Sequence, residues 1–147
     1  MPKVPTRSAT HQDLDYARLS ALGLDVEGIA NDDQVALADL ITLAADLGKP
    51  VSHLLAAIPL ATELRVIADT PLTVKVCAGS CQKWGALDLI EHLVARWESK
   101  HDVSVVPVSC LDRCDQAAAC ELHGAHGQLV IAEATKKSLD EAIDALV

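Results

Sequence analysis

The arrangement of the cysteines is the feature that most constrains this chain. Four of the five cysteines form two pairs, each with three residues between its members. The pairs are Cys77 with Cys81 and Cys110 with Cys114. Each pair comes at the end of a short apolar run rich in β-branched residues, 72–77 and 103–108, and such runs are typical of buried strands. Both pairs are therefore expected where a strand ends.

The segment between the two pairs predicts a helix. Residues 85–97 place Leu87, Ile90, Leu93 and Trp97 on one face at helical spacing. A strand–helix–strand unit joins two parallel strands, and the carboxyl ends of parallel strands meet at the same edge of a sheet. We therefore expect all four thiols to converge at that edge.

The end of the chain predicts a β-hairpin and a last helix. The hairpin is expected over 117–122 and 128–132, and the helix over 138–146 with Ser138 as its cap. The order is then βαβ followed by ββα. This order predicts an α/β domain over 71–147, with a thioredoxin-like four-stranded mixed sheet and flanking helices.

Residues 1–70 carry a helical pattern and are expected to form a small N-terminal helical region before the sheet domain. Three helices are predicted in this region: one over 14–22 closed by Gly23, one capped by Asn31 or Asp32 and stopped by Gly48, and a short one capped by Ser52 and ended by Pro59.

Composition excludes several classes of function. The chain has 147 residues, of which 50% are hydrophobic, so it can bury a core and is not expected to be disordered. Its net charge of −9 argues against binding to nucleic acid, because contacts to phosphates need an excess of Lys and Arg. The same charge disfavours an anionic membrane surface.

The sequence also predicts a cytoplasmic protein without direct membrane insertion. The most apolar stretch, 35–47, is interrupted by Asp39 and Asp46 and is too short to span a bilayer. Residues 1–10 lack the apolar centre of a secretory signal. In a reducing compartment, clustered cysteines indicate metal binding or redox chemistry more readily than structural disulfides.

Four converging thiolates suit either zinc or an iron–sulfur cluster. Structural zinc sites usually have two residues between paired cysteines, whereas the pairs here have three, and the longer spacing favours the wider binuclear cluster. Ala78, Gly79 and Ser80 are small, so backbone N–H groups can approach inorganic sulfide. Zinc, reduced thiols and a disulfide remain the alternatives from the residues alone.

Three short motifs follow one another along the chain. They are Leu-Gly-Lys-Pro at 47–50 before a short helix, Val-Cys-Ala-Gly-Ser-Cys at 76–81, and Cys-Leu-Asp-Arg-Cys at 110–114. With the hairpin and helix after them, they make the stretch 45–146 resemble the thioredoxin-like [2Fe–2S] ferredoxin family. In layout it is similar to the small iron–sulfur subunit of respiratory NADH dehydrogenase and its relatives in NAD-linked hydrogenases and formate dehydrogenases.

The resemblance implies that Cys77, Cys81, Cys110 and Cys114 each ligate one [2Fe–2S] cluster. It also implies one-electron transfer, as a subunit or satellite of a flavin- or NAD-linked oxidoreductase, without independent enzymatic activity. A flavoprotein or NAD-linked oxidoreductase subunit is then the expected partner, and a homodimer is compatible with this reading. The alternatives are a redox- or iron-sensing module that carries the cluster, and an interaction domain with structural zinc.

Other residues near these motifs carry weaker signals. Cys120 is expected to be a small buried residue of the hairpin, with a substitute ligand as the alternative. His123 and His126 are expected to be solvated residues of the hairpin turn. Trp84 could either shield the cluster or only pack. Arg113 could either raise the reduction potential or lie in solvent.

Overall fold

The computed structural model describes residues 16–67, 70–78, 85–109, 118–125 and 127–146, and these form an α/β fold. Helices and strands follow one another in the order α1 (Tyr16–Glu27), β1 (Gln34–Val35), α2 (Leu37–Leu47), α3 (Val51–Ala61), β2 (Arg65–Val66), β3 (Leu72–Cys77), α4 (Ala86–Lys100), β4 (Val103–Val108), β5 (Cys120–Gly124), β6 (Gly127–Ile131) and α5 (Lys136–Leu146).

The main sheet has four strands in the order β4-β3-β5-β6. β3 and β4 are parallel and in register from Leu72 opposite Val103 to Cys77 opposite Val108. β5 is antiparallel to both of its neighbours, β3 and β6. This mixed sheet is the predicted thioredoxin-like layout, and the strand–helix–strand unit at its centre is confirmed.

One face of the sheet carries the hydrophobic core. Alternate residues of β3 point into it, with Leu72, Val74 and Val76 at most 3% exposed. α4 and α5 lie on this face, and α5 contributes the buried side chains of Leu139 and Ile143. Because α5 buries few residues, its polar contacts with α4 are important for its position.

Arg96 of α4 links α4 to α5. Its guanidinium makes a two-pronged contact with Asp102, at 2.9 and 3.2 Å, and further contacts with Asp140 at 3.2 Å and Asp144 at 2.7 Å. The Arg96 side chain is only 8% exposed. His92 adds a contact of 2.9 Å between its Nε2 and Oδ1 of Asp140.

These contacts change the pKa values of the charged groups. The hydrogen bond to Asp102 is the main reason that the pKa of Arg96 is raised, and it lowers the pKa of Asp102 in turn. At Asp140 burial acts to raise the pKa, but hydrogen bonds from His92 and Arg96 outweigh it and hold the pKa below its usual value. The network therefore favours its charged form.

The first helix does not end where its sequence suggested. Gly23 was expected to close it, but α1 continues to Glu27. A Cβ atom at Gly23 would lie 3.1 Å from both Cβ of Ala61 and Cγ2 of Thr62. The glycine therefore lets α1 approach the end of α3 closely, and tertiary packing outweighs its low helix propensity.

The helix α2 begins later than expected. Asn31 and Asp32 were predicted as caps, but residue 36 occupies the N-cap position and the two residues before it form β1. β1 pairs in parallel with β2, about 30 residues later in the chain, with Gln34 opposite Arg65 and Val35 opposite Val66. The sequence pattern does not predict either of these short strands. At the other end of α2, Gly48 has a φ of 66° and closes the helix as predicted.

The helix α3 departs from its prediction at both ends. Pro50 holds the N-cap position instead of Ser52, and Pro59 lies inside the helix, which ends at Ala61. Leu54, Leu55 and Ile58 are each at most 2% exposed, and their burial stabilises the helix enough for it to continue past Pro59. Packing therefore decides where this helix ends.

The start of α5 differs by one turn. Ser138 was predicted as the cap, but the helix begins at Lys136 and Thr135 precedes it. The Ser138 N–H donates to Oγ1 of Thr135 at 3.1 Å, and the Thr135 N–H donates to Oγ of Ser138 at 2.8 Å. Ser138 is thus the inner member of a reciprocal capping pair.

The helical region and the sheet share one hydrophobic core. Buried residues of α1, α2 and α3 belong to the same cluster as those of β3 and α4. The Ser52 N–H in the first turn of α3 donates to Oε1 of Glu91 in α4 at 2.8 Å. A carboxylate at a helix N-terminus is stabilising, so this contact fixes α3 against α4. Within the described ranges, no helix has the length and apolarity needed to cross a membrane.

Candidate metal centre

Cys77 lies at the carboxyl end of β3 beside the end of β4. Its side chain is 1% exposed, and its thiol donates a hydrogen bond to the Ser109 carbonyl oxygen, with an S···O distance of 3.6 Å. The next N–H, that of Ala78, donates to the Val108 carbonyl at 2.7 Å. The two strands therefore stay hydrogen-bonded up to the points from which both cysteine loops depart.

The other three predicted ligands, Cys81, Cys110 and Cys114, lie outside the described residues. Ser109 directly precedes Cys110 in the sequence, so the contact from Cys77 reaches the residue next to the second pair. α4 begins at Ala86, a few residues after Cys81. Parallel β3 and β4 thus bring the starts of the two loops together, as the cysteine spacing predicted.

The surroundings of Cys77 suit a buried thiolate ligand to a soft metal. Val76 and Ala78, its neighbours in the chain, are both fully buried and apolar. Cysteine sulfur is the donor that iron–sulfur clusters and zinc use, and a bound metal ion supplies the charge that keeps a buried cysteine deprotonated. The described part of this edge fits the predicted group. Among all the described residues, those at this edge included, no three His, Cys, Asp or Glu side chains are placed to hold a metal ion.

Cys120 occupies a different position from the predicted ligands. It is the first residue of β5, pairs with Val76 and is fully buried on the core side of the sheet. Burial raises the pKa of its thiol to about 12, and the proximity of Cys77 adds to the increase. Its burial in β5 agrees with the expectation that Cys120 is a small buried residue of the hairpin.

His123 lies in a strand, not in the turn where the sequence placed it. It belongs to β5, its side chain is 25% exposed, and its Nε2 is 3.1 Å from Oε1 of Glu121. The side-chain amide of Gln128 lies 2.9 Å from Nδ1 of His123. If the Gln128 amide donates to Nδ1, then Nε2 carries the proton and donates to Glu121. His126, like Trp84 and Arg113, lies outside the described residues.

Lys75 lies near Cys77 but belongs to none of the sequence motifs. It lies two positions before Cys77 in β3 and is half-buried. Because alternate residues of a strand share a face, Lys75 and Cys77 lie on the same side of the sheet, opposite α4 and α5. The alternation of side chains along a strand could have predicted from the sequence that Lys75 and Cys77 share a face.

Comparison with protein-family models gave no match, and comparison with curated proteins gave none either. The fold and the residues at the end of β3 and β4 are therefore the basis for any assignment of function.

Proposed function

We propose that this protein is a one-electron carrier that holds a single [2Fe–2S] cluster through Cys77, Cys81, Cys110 and Cys114. We infer that it acts in the cytoplasm, as a subunit or satellite of a flavin- or NAD-linked oxidoreductase, without a substrate site of its own. The observation that carries the proposal is the contact between the Cys77 thiol and the Ser109 carbonyl, because it joins the starts of both cysteine loops.

The chain itself supplies rigidity and exclusion of water at this edge. When bound, the cluster supplies a site that accepts and releases one electron. Cys77 is held at the end of a central strand, paired on one side with β4 and, through Val76, with β5 on the other. A ligand on a rigid and buried strand end changes its geometry little between charge states, and this favours fast electron transfer.

The charge of the protein supports a particular kind of partner. The net charge of −9 favours docking to a basic patch on a flavoprotein or NAD-linked subunit, because opposite potentials steer two proteins together. The same charge argues against nucleic acid as a partner.

Purification under anaerobic conditions tests this proposal. We expect iron and acid-labile sulfide in equal amounts, visible absorbance that bleaches with dithionite, and the EPR signal of one reduced [2Fe–2S] centre. Cys110→Ser should abolish the signal. Cys120→Ala is the matched control and should retain it, because Cys120 is buried on the core side of β5.

Two results would contradict the proposal. Colourless wild-type protein with stoichiometric zinc would establish a structural metal site instead of an electron carrier. Iron retained by Cys110→Ser but lost by Cys120→Ala would show that the ligand set is wrong.

A further inference from the structure

The face of the sheet opposite α4 and α5 carries a lysine near the predicted cluster. Lys75 is two residues before Cys77 in β3, so their Cα atoms are about 7 Å apart on one side of the sheet. Lys75 is half-buried, which limits the screening of its charge by water. Within the part of the chain that the structure describes, no carboxylate lies within 4.0 Å of its ammonium group.

Among the described residues, Glu121 is the carboxylate that lies opposite Lys75 in the sheet, and it has another partner. It lies directly opposite Lys75 in the pairing of β3 with β5. Its Oε1 contacts Nε2 of His123 at 3.1 Å, and His123 lies opposite Thr73, farther from Cys77 than Lys75 is. Gln128 fixes the other ring nitrogen of His123 at 2.9 Å. The carboxylate is therefore drawn away from the Cys77 end of the sheet.

We propose that Lys75 sets the reduction potential of the cluster, by stabilising its reduced form through its positive charge. The inference rests on the proposed function, because it concerns the same four-cysteine site. Reduction adds one electron from an external donor and breaks no bond, so the cluster becomes more negative by one charge. A nearby cation lowers the free energy of the reduced form more than that of the oxidised form.

Coulomb's law gives the expected size of the effect. A unit charge about 10 Å away in a medium of effective dielectric constant about 20 changes the equilibrium for reduction roughly tenfold. For a one-electron couple, this factor corresponds to about 59 mV. Loss of the Lys75 charge should therefore move the midpoint potential by about this amount to more negative values.

A redox titration of four proteins tests the inference, with dithionite as the reductant and the EPR signal as the readout. They are the wild type, Lys75→Gln, Lys75→Arg and Lys100→Gln. We expect a more negative potential for Lys75→Gln and a value close to wild type for Lys75→Arg. Lys100→Gln removes the same charge from the far end of α4 and should leave the potential unchanged. Lys75→Met serves in place of Lys75→Gln if the latter does not fold.

The outcomes separate this inference from the proposed function. An unchanged potential in Lys75→Gln, or an equal shift in Lys100→Gln, would overturn the role of Lys75 while an intact EPR signal upheld the carrier. Wild-type protein without iron would overturn both.

Discussion

The two sides of the sheet differ in how a buried or half-buried cation is paired with carboxylates. On the helix-covered face, Arg96 is surrounded by Asp102, Asp140 and Asp144 and is held between α4 and α5. On the other face, Lys75 lies two residues before Cys77, and Glu121, which lies opposite Lys75 in β5, contacts His123. A cation that is paired with three carboxylates stabilises the fold. A cation without such close pairing can change the electrostatic potential at a neighbouring redox centre.

The largest effect on stability is expected on the helix-covered face. Arg96→Met leaves three carboxylates without their cation, of which Asp140 and Asp144 are 40% and 64% exposed, and it should lower the free energy of unfolding by about 2 kcal/mol. Arg65→Met, at an exposed position in β2, is the control and should cost about 0.5 kcal/mol or less. Chemical denaturation of both variants measures the difference. Equal losses would show that the Arg96 network does not fix α5.

Acid should weaken the same face. The pKa values of Asp102 and Asp140 are lowered in the folded protein, so their contribution is fully present above the ordinary pKa of 3.8. It is lost as the pH falls through the lower, folded values, because protonation then removes the contacts with Arg96. We expect a loss on the order of 1 kcal/mol below pH 4, measured by denaturation as a function of pH. The loss should be much smaller in Arg96→Met, and an undiminished loss there would assign it to other carboxylates.

Substitution of Cys120 tests the packing of the hydrophobic core at the start of β5. Cys120→Ala removes one buried sulfur atom and should cost about 1 kcal/mol, whereas Cys120→Ser buries a hydroxyl and should cost about 2 kcal/mol. Thermal unfolding of the two variants checks the order. Equal stability of Cys120→Ser and the wild type would mean that position 120 is not in the dry core.

The smallest effect is expected on the face of the sheet that carries Lys75. His123→Leu removes the hydrogen bond that holds Glu121 and should cost about 0.5–1 kcal/mol, because the pair is partly exposed. It should also release Glu121 toward Lys75 and make the midpoint potential more negative, by less than Lys75→Gln does. A redox titration measures this shift. A more positive potential in His123→Leu would contradict the arrangement of charge on this face.

Much of the sheet domain was predictable because its elements follow local patterns. The runs 72–77 and 103–108 are short, apolar and rich in β-branched residues, and the segment after residue 85 has helical spacing. The order of these three elements leaves few topologies. The convergence of β3 and β4 at one edge follows from that order. The hydrogen bond from the Cys77 thiol to the Ser109 carbonyl could not be predicted in this way, because any backbone carbonyl can accept and the sequence does not show which one lies near.

The helical region was less predictable because its ends are set by distant contacts. Gly23 and Pro59 are ordinary signals for the end of a helix, yet both lie inside helices. In each case the competing term is burial against another helix, which exceeds the local cost of the residue. The two-residue strands β1 and β2 are too short to leave a period in the sequence.

The sequence by itself determined the class of fold, the position of Cys77 at the end of a strand and the burial of Cys120. These depend on periodicity and chain order, which are local properties. Only the tertiary structure decided which charges have partners. Arg96 and Lys75 are both cations within regular elements. Arg96 contacts Asp102, between α4 and β4, and Asp140 and Asp144 of α5, whereas Lys75 lies opposite Glu121, which contacts His123. Asp140 and Asp144 lie 44 and 48 residues along the chain from Arg96, and β5 brings Glu121 opposite Lys75, so the sequence pattern of one element cannot reveal these neighbours.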